Sequence, residues 1–250
     1  MSTTRASEWV AEPMITFLIR KVMQIHNFDP DLLAQTIEER WNGHSDPISF
    51  AIPGGRSPGK VLTPLAKILP ESTLKRLHLF WVDERCVPPS HEDRNDQPTL
   101  SAWSEGGPLP GSVWPMPAHL EDLDLACSSY EQQLDDLGFG KGVDLTLLGI
   151  GPDGHFASLF PEHPHLSTQQ KVFWLDDSPK PPPKRLSFSL PYILDSSRID
   201  VLVLGKDKGE ILHRGIESPG PNIPVSLLLD HSDLHLHLDA EAQMGFEATL

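Results

Sequence analysis

Val143-Asp-Leu-Thr-Leu-Leu-Gly-Ile-Gly-Pro-Asp-Gly-His-Phe-Ala-Ser-Leu-Phe-Pro161 opens as an apolar run and closes in a glycine-shaped loop. Residues 143–148 have the length and branched composition of a buried strand. The residues after that strand decide the fold. Gly149, Gly151 and Gly154 satisfy the GxGxxG spacing, and Asp176 stands about 20 residues beyond, as a dinucleotide-binding turn requires. Such a turn must lead into a full helix packed on the sheet, whereas Pro161 and Pro164 stop any helix within about two turns. The dinucleotide reading therefore fails. The segment is a loop that presents Asp153 and His155, two residues apart, at the end of a strand.

Working outward, similar apolar runs recur at residues 48–52, 77–82, 186–190 and 201–204, each short and rich in branched or aromatic residues. Amphipathic stretches lie between them. In residues 121–137, Leu123, Cys127, Tyr130, Leu134 and Leu137 share one helical face. Asp29-Pro30 has the N-cap and first-turn proline of another helix, and Ser57-Pro58 repeats that signal before residues 61–69. Strand, loop, helix, strand in this order predicts an α/β fold: a mainly parallel, open twisted, Rossmann-like sheet with helices on both faces and a small antiparallel portion. Sites in such sheets gather at the carboxyl ends of the strands. Leu234-His-Leu-His-Leu238 alternates with period 2 and predicts a strand near a sheet edge with one buried face. The proline-rich stretches at 88–89, 108–117 and 179–183 read as loops, since apolar strands resume after each. Residues 1–250 are thus expected to form one domain.

Composition excludes several function classes. The chain has 250 residues with 20 Lys+Arg against 35 Asp+Glu, a formal net charge of −15, so nucleic acid and anionic membrane are not its expected partners. Residues 180–185, the stretch most like a basic patch, are half proline. Hydrophobic content is 38%, with 25 prolines and 18 glycines filling loops, and the length suffices for a core without staples. Cys86 and Cys127 lack CxxC spacing, so neither a disulfide framework nor a zinc ribbon is expected, and a reducing cytoplasm fits best. Residues 1–10 have no apolar signal region, and no stretch approaches the ~18 apolar residues of a membrane span.

Two further segments carry chemistry. Ile52-Pro-Gly-Gly-Arg-Ser-Pro58 follows one strand and opens a helix. It is either a tight turn or a phosphate cradle, in which Gly54 and Gly55 let backbone N–H groups approach an anion and Arg56 and Ser57 add donors. Phe80-Trp-Val-Asp-Glu-Arg-Cys-Val87 ends an apolar strand in three charges, Asp83, Glu84 and Arg85, which must find partners in an ion cluster or a site. Cys86 beside them is expected to be a semi-buried small residue and not an activated thiolate. His155 is a structural histidine or a general base, since imidazole titrates near neutrality and a neighbouring carboxylate can fix its tautomer. His231, His235 and His237 invite a metal reading, but a solvated histidine face opposite Leu234, Leu236 and Leu238 is the expectation, because no cysteine accompanies them.

Taken in order, these segments resemble the glucosamine-6-phosphate isomerase/6-phosphogluconolactonase family over roughly residues 48–240. Gly54-Gly-Arg-Ser-Pro58 resembles its phosphate loop, Trp81-Val-Asp-Glu-Arg85 its second signature, and Leu148-Gly-Ile-Gly-Pro-Asp-Gly-His-Phe-Ala-Ser-Leu-Phe-Pro161 its third and most specific. Arg185 before residues 186–190 is similar to a phosphate-contacting arginine, and Lys208 in Gly205-Lys-Asp-Lys208 to the family's lysine after a strand. Two positions point to the lactonase branch. Where deaminases carry Asn-Glu-Pro with a ring-opening carboxylate, this chain has Leu159-Phe160-Pro161, and Arg85 replaces the aromatic residue after the Asp-Glu pair. Pro53 in place of Ser, Phe156 in place of Thr and the partial match of Arg94-Asn95-Asp96 depart from the family pattern.

The resemblance implies hydrolysis of 6-phospho-D-glucono-1,5-lactone to 6-phosphogluconate, the second step of the oxidative pentose phosphate pathway. It implies His155 as base, Asp153 or Asp83 orienting it, Arg85 at the oxyanion or sugar acid, and Gly54, Gly55, Arg56, Ser57, Arg185 and Lys208 holding phosphate. No metal or cofactor is expected, the partner is a small phosphorylated sugar lactone, and the assembly is a monomer or weak dimer. A sugar-phosphate deaminase-isomerase and a non-catalytic sugar-phosphate sensor are the alternatives.

Overall fold

The computed structural model describes residues 23–43, 45–55 and 57–248. In chain order these form β1 (Gln24–Asn27), α1 (Pro30–Trp41), β2 (Ile48–Ile52), α2 (Gly59–Ile68), α3 (Glu71–Leu74), β3 (Leu77–Trp81), β4 (Asp83–Arg85), α4 (Asp96–Gly106), β5 (Ser112–Trp114) and α5 (Leu123–Asp136). Next come β6 (Leu145–Gly149), β7 (Val172–Leu175), β8 (Arg185–Phe188), α6 (Leu190–Leu194), β9 (Ile199–Val203), α7 (Lys206–Glu217), β10 (Leu234–Leu238) and α8 (Ala240–Glu247).

Among the described residues, seven strands build one sheet in the order β1-β10-β9-β6-β2-β3-β5, with every pairing parallel. The central strands are continuous apolar runs because both their faces are covered. Phe50, Ile52, Leu79, Trp81, Leu145 and Leu147 pack with Leu33 and Ile37 of α1 and Leu62 and Leu65 of α2. The alternate residues Ala51, Phe80, Leu148 and Val201 turn the other way, onto Ala126, Tyr130 and Leu134 of α5 and Leu212 of α7. Asp29 caps α1 as expected, accepting from the N–H groups of Asp31 and Leu32. The Ser57 hydroxyl makes no capping bond at α2, where Pro58 takes the cap position. That leaves it available to a ligand.

The antiparallel portion is a second sheet, β4-β8-β7. This corrects two sequence assignments. The strand of residues 77–82 stops at Trp81, and Asp83-Glu84-Arg85 begins a separate strand. The run at 186–190 belongs to this small sheet, starting at Arg185. Likewise β5 lies inside the proline-rich stretch 108–117, which is not all loop.

A fourth correction concerns β10. Its histidine face is not solvated: His235 and His237 are 7% and 5% exposed. The strand stands second from the edge because β1, a polar segment with no apolar signature, pairs beside it. His26 of β1 stacks on both rings, at 5.2 and 5.0 Å between centroids. His237 Nε2 donates to Asp200 Oδ1 at 2.6 Å, and Asp200 also receives Arg198.

Because the main strands are parallel, the loops after β2, β6 and β9 emerge along one edge, where β4 also begins.

Candidate active site

After β6 the chain turns back on itself. The Gly151 N–H donates to the His155 carbonyl at 2.8 Å, and the Gly154 N–H to the Gly151 carbonyl at 3.0 Å. A side chain at Gly151 would collide with the His155 ring and with the Asp153 carboxylate, so this close approach requires glycine. The turn sets His155 Nδ1 2.5 Å from Asp153 Oδ1. Burial opposes the charge on Asp153, but the hydrogen bond and charge of His155, together with Lys180, outweigh it and hold the carboxyl well below its usual range. An ionised carboxylate only accepts, so Nδ1 carries the proton and Nε2 keeps its lone pair. Among the described residues no hydrogen bond engages Nε2. Phe160 packs on the imidazole at 5.0 Å between centroids.

This ring lines a cavity of about 410 Å³, together with Gly54, Gly55, Ser57, Asp83, Arg85, Arg185 and Lys208. The structure thus brings together all the sequence-predicted site residues it describes. Asp153 stands directly behind His155, and Arg56 lies outside the described residues. Lys208 is half-buried in the first turn of α7. Burial pushes its ammonium down, Asp239 pulls it up, and Lys180 and Lys60 push it further down, as converging cations do.

Two predicted site residues have most of their polar atoms engaged by neighbours. Asp83 does not orient His155. Its Oδ1 accepts from Asn95 Nδ2 at 3.1 Å and its Oδ2 from the Ser158 hydroxyl at 2.8 Å, so it ties the loop after β6 to the turn before α4. Arg185 lines the cavity with most of its donors already engaged. Its Nε donates to the Pro182 carbonyl at 2.7 Å, and its Nη2 to the carbonyls of Lys180 and Pro181, both at 3.0 Å. Its Nη1 remains, 3.8 Å from Asp83. Arg85 also lines the cavity, with Nη1 on the Asp93 carbonyl at 2.7 Å and Nε buried with no hydrogen-bond partner among the described residues.

Sequence reasoning misses Lys180 and underrates Asn95, which also line the cavity. Lys180 lies in a run that reads as proline loop, and its only signal is a lone cation among the prolines. Asn95 is buried against Gly54, where a side chain would strike its amide, and the Glu84 carboxylate accepts the N–H groups of Asn95 and Asp96. Burial pushes Glu84 up to about 7, against the pull of the Asn95 amide, of Arg94 and of the Arg85 amide. Cys86 is half-buried, and burial, with Glu84 beside it, pushes its thiol up to about 12, which suits no nucleophile. No group of three or more His, Cys, Asp or Glu side chains among the described residues could hold a metal ion.

A larger cavity of about 790 Å³, between α5 and β7, contains none of the loop residues. Asp122, Asp124, Asp176 and Asp177 line it, so it repels phosphate.

The family model for glucosamine-6-phosphate isomerases/6-phosphogluconolactonase matches residues 30–236. The chain belongs to this family. The 6-phosphogluconolactonase of Streptomyces coelicolor is 34% identical over 69% of this chain and 71% of its own length. An Arabidopsis thaliana relative described as 6-phosphogluconolactonase 3, chloroplastic, is 36% identical over 67% of this chain, but the match spans only 55% of that protein. The chain spans about half the length of the plant relatives it matches. Among solved structures, 6-phosphogluconolactonase from Thermotoga maritima superposes with a TM-score of 0.77 at 25% identity, covering 87% of this chain and 99% of that one. A monomeric glucosamine-6-phosphate deaminase gives a TM-score of 0.75 at 22% identity. Since both branches of the family share the fold, the side chains must choose between them. Where the sequence resemblance would place a deaminase's carboxylate, this member has Phe160, buried against His155.

Proposed function

We propose that the chain hydrolyses 6-phospho-D-glucono-1,5-lactone to 6-phosphogluconate. The observation that carries this reading is the Asp153–His155 pair, with Nε2 unbonded, in a cavity lined by Arg85, Lys180, Arg185 and Lys208. On a body of net charge −15, four cations around one cavity favour a small anionic ligand.

A δ-lactone is an activated ester, so its hydrolysis needs one base, one oxyanion donor and an anchor for the remote phosphate. His155 Nε2 takes a proton from water as the water oxygen bonds to the C1 carbonyl carbon. Asp153 holds the ring in the tautomer that permits this and stabilises the imidazolium that forms. Arg85 faces the developing oxyanion. As the C1–O5 bond breaks, the imidazolium returns its proton to the ring oxygen, and the new acid ionises. Lys208, the Ser57 hydroxyl, the backbone of Gly54 and Gly55, and Arg56 hold the phosphate near the N-terminus of α2. Phe160 offers no carboxylate for the ring opening that deamination needs. A passive sensor has no use for a tautomer-locked base.

A cytoplasmic location rests on the free thiols of Cys86 and Cys127. Among the described residues no helix is long and apolar enough to cross a membrane.

The test is acid release from lactone freshly generated by a glucose-6-phosphate dehydrogenase, corrected for spontaneous hydrolysis and paired with ammonia release from glucosamine 6-phosphate. The reading expects the first and not the second.

A further inference from the structure

The Lys180 ammonium lies 3.1 Å from His155 Nδ1 and 3.4 Å from Asp153 Oδ1. Its backbone is pinned from both sides. Arg185 donates to the carbonyls of Lys180, Pro181 and Pro182 in succession. The Ser178 hydroxyl donates to the Lys180 carbonyl at 2.8 Å and accepts its N–H at 3.2 Å. A buried guanidinium devoted to three consecutive carbonyls, in a segment already stiffened by prolines, indicates that the placement of this one cation matters.

We propose that Lys180 is a positioning residue of the hydrolytic site, one that sets the protonation balance of the Asp153–His155 pair so that His155 stays a neutral base. The inference rests on the lactone-hydrolysis reading and deepens it. A carboxylate at 2.5 Å favours imidazolium, and a doubly protonated ring cannot accept a proton from water. Since Nδ1–H already donates to Asp153, the ammonium cannot donate to that nitrogen. It shares the Asp153 oxygen instead, and its charge opposes proton uptake by the ring. The same repulsion speeds the later step, because an imidazolium beside a cation gives its proton more readily to the departing ring oxygen. The other charged groups that face His155 are Asp83 and Arg85 of β4, Arg185 of β8 and Lys208 of α7. Among the described residues only Asp153 and Lys180 come within hydrogen-bond distance of the ring.

The experiment compares wild type, Lys180→Met and Lys180→Arg by two readouts. One is histidine NMR titration of His155, which needs no turnover, and the other is the pH profile of kcat/KM for lactone hydrolysis. In Lys180→Met the His155 midpoint and the acid limb of kcat/KM should both move up by about one pH unit. The rate should then fall by up to about tenfold at pH well below the midpoint and by only a few-fold near pH 7, recovering toward alkaline pH, while Lys180→Arg stays near wild type. Because Lys180 is 39% exposed, its replacement does not threaten the fold. A His155 midpoint unchanged in Lys180→Met overturns the inference, and so does a loss of activity equal at every pH, which would make Lys180 a substrate contact. A wild-type chain that fails to hydrolyse the lactone overturns the reaction itself, and the NMR midpoint alone then decides the role of Lys180.

Discussion

Asp153 and His155, with Lys180 beside them, use the same three residue classes as Asp200 and His237 with Arg198. The second cluster lies on adjacent strands, with Asp200 near the start of β9, away from the edge that carries the cavity. Its side chains are nearly dry: Asp200 is 0% exposed, and Arg198 and His237 are 7%. Asp200 receives two N–H groups of Arg198, at 2.7 and 2.8 Å, and one from His237. Burial raises the Asp200 carboxyl, but those hydrogen bonds prevail and bring it to about 2. In the first cluster His155 is 18% exposed, Asp153 35% and Lys180 39%, and the outer nitrogen of His155 has no described partner. The residue types alone do not make a site. The strand cluster is saturated and shut from water, so it holds structure, whereas the loop cluster keeps one lone pair open to a cavity and can do chemistry.

That contrast can be broken from either side. Asp153→Asn should lower kcat for lactone hydrolysis by roughly 10²–10³-fold at neutral pH, because the ring loses its charged partner. Its thermal unfolding should shift little, since a pair this exposed contributes under about 1 kcal/mol. Equal losses of stability in Asp153→Asn and Asp200→Asn would erase the distinction. Asp200→Asn should cost about 3–5 kcal/mol, read by urea unfolding, as expected when a buried charge loses its partner, while the folded fraction keeps its kcat. The sign of its pH dependence follows from the depressed carboxyl. The stabilisation is present above the unfolded value of 3.8 and is lost as pH falls through about 2. The gap between wild type and Asp200→Asn should therefore close over that window, and a gap that widens toward acid would contradict the assignment. The smallest effect is Lys208→Ala, expected to raise KM about tenfold with kcat nearly unchanged. An unaltered KM would move the phosphate anchor elsewhere.

The sequence makes one cluster legible and misjudges the other, for a physical reason. Asp153 and His155 are two residues apart in a glycine loop at a strand end, so their meeting is local and the chain itself announces it. His237 meets Asp200 across 37 residues and His26 across more than 200, through a β1 too polar to read as a strand. Nothing in Leu234-His-Leu-His-Leu238 says that a further strand will cover its edge. The same limit explains Asp83, whose partner Ser158 is 75 residues away, and Arg185, whose donors go to a proline loop that periodicity cannot describe. The parallel sheet, its site-bearing edge and the lactonase-like loops are legible because their patterns lie within single segments.

The role of His155 as the base that activates water stands or falls with the kcat of His155→Ala on fresh lactone, corrected for spontaneous hydrolysis. It should fall by roughly 10²–10⁴-fold, with KM close to wild type because the phosphate anchors are untouched. A kcat near that of the wild type would contradict that role.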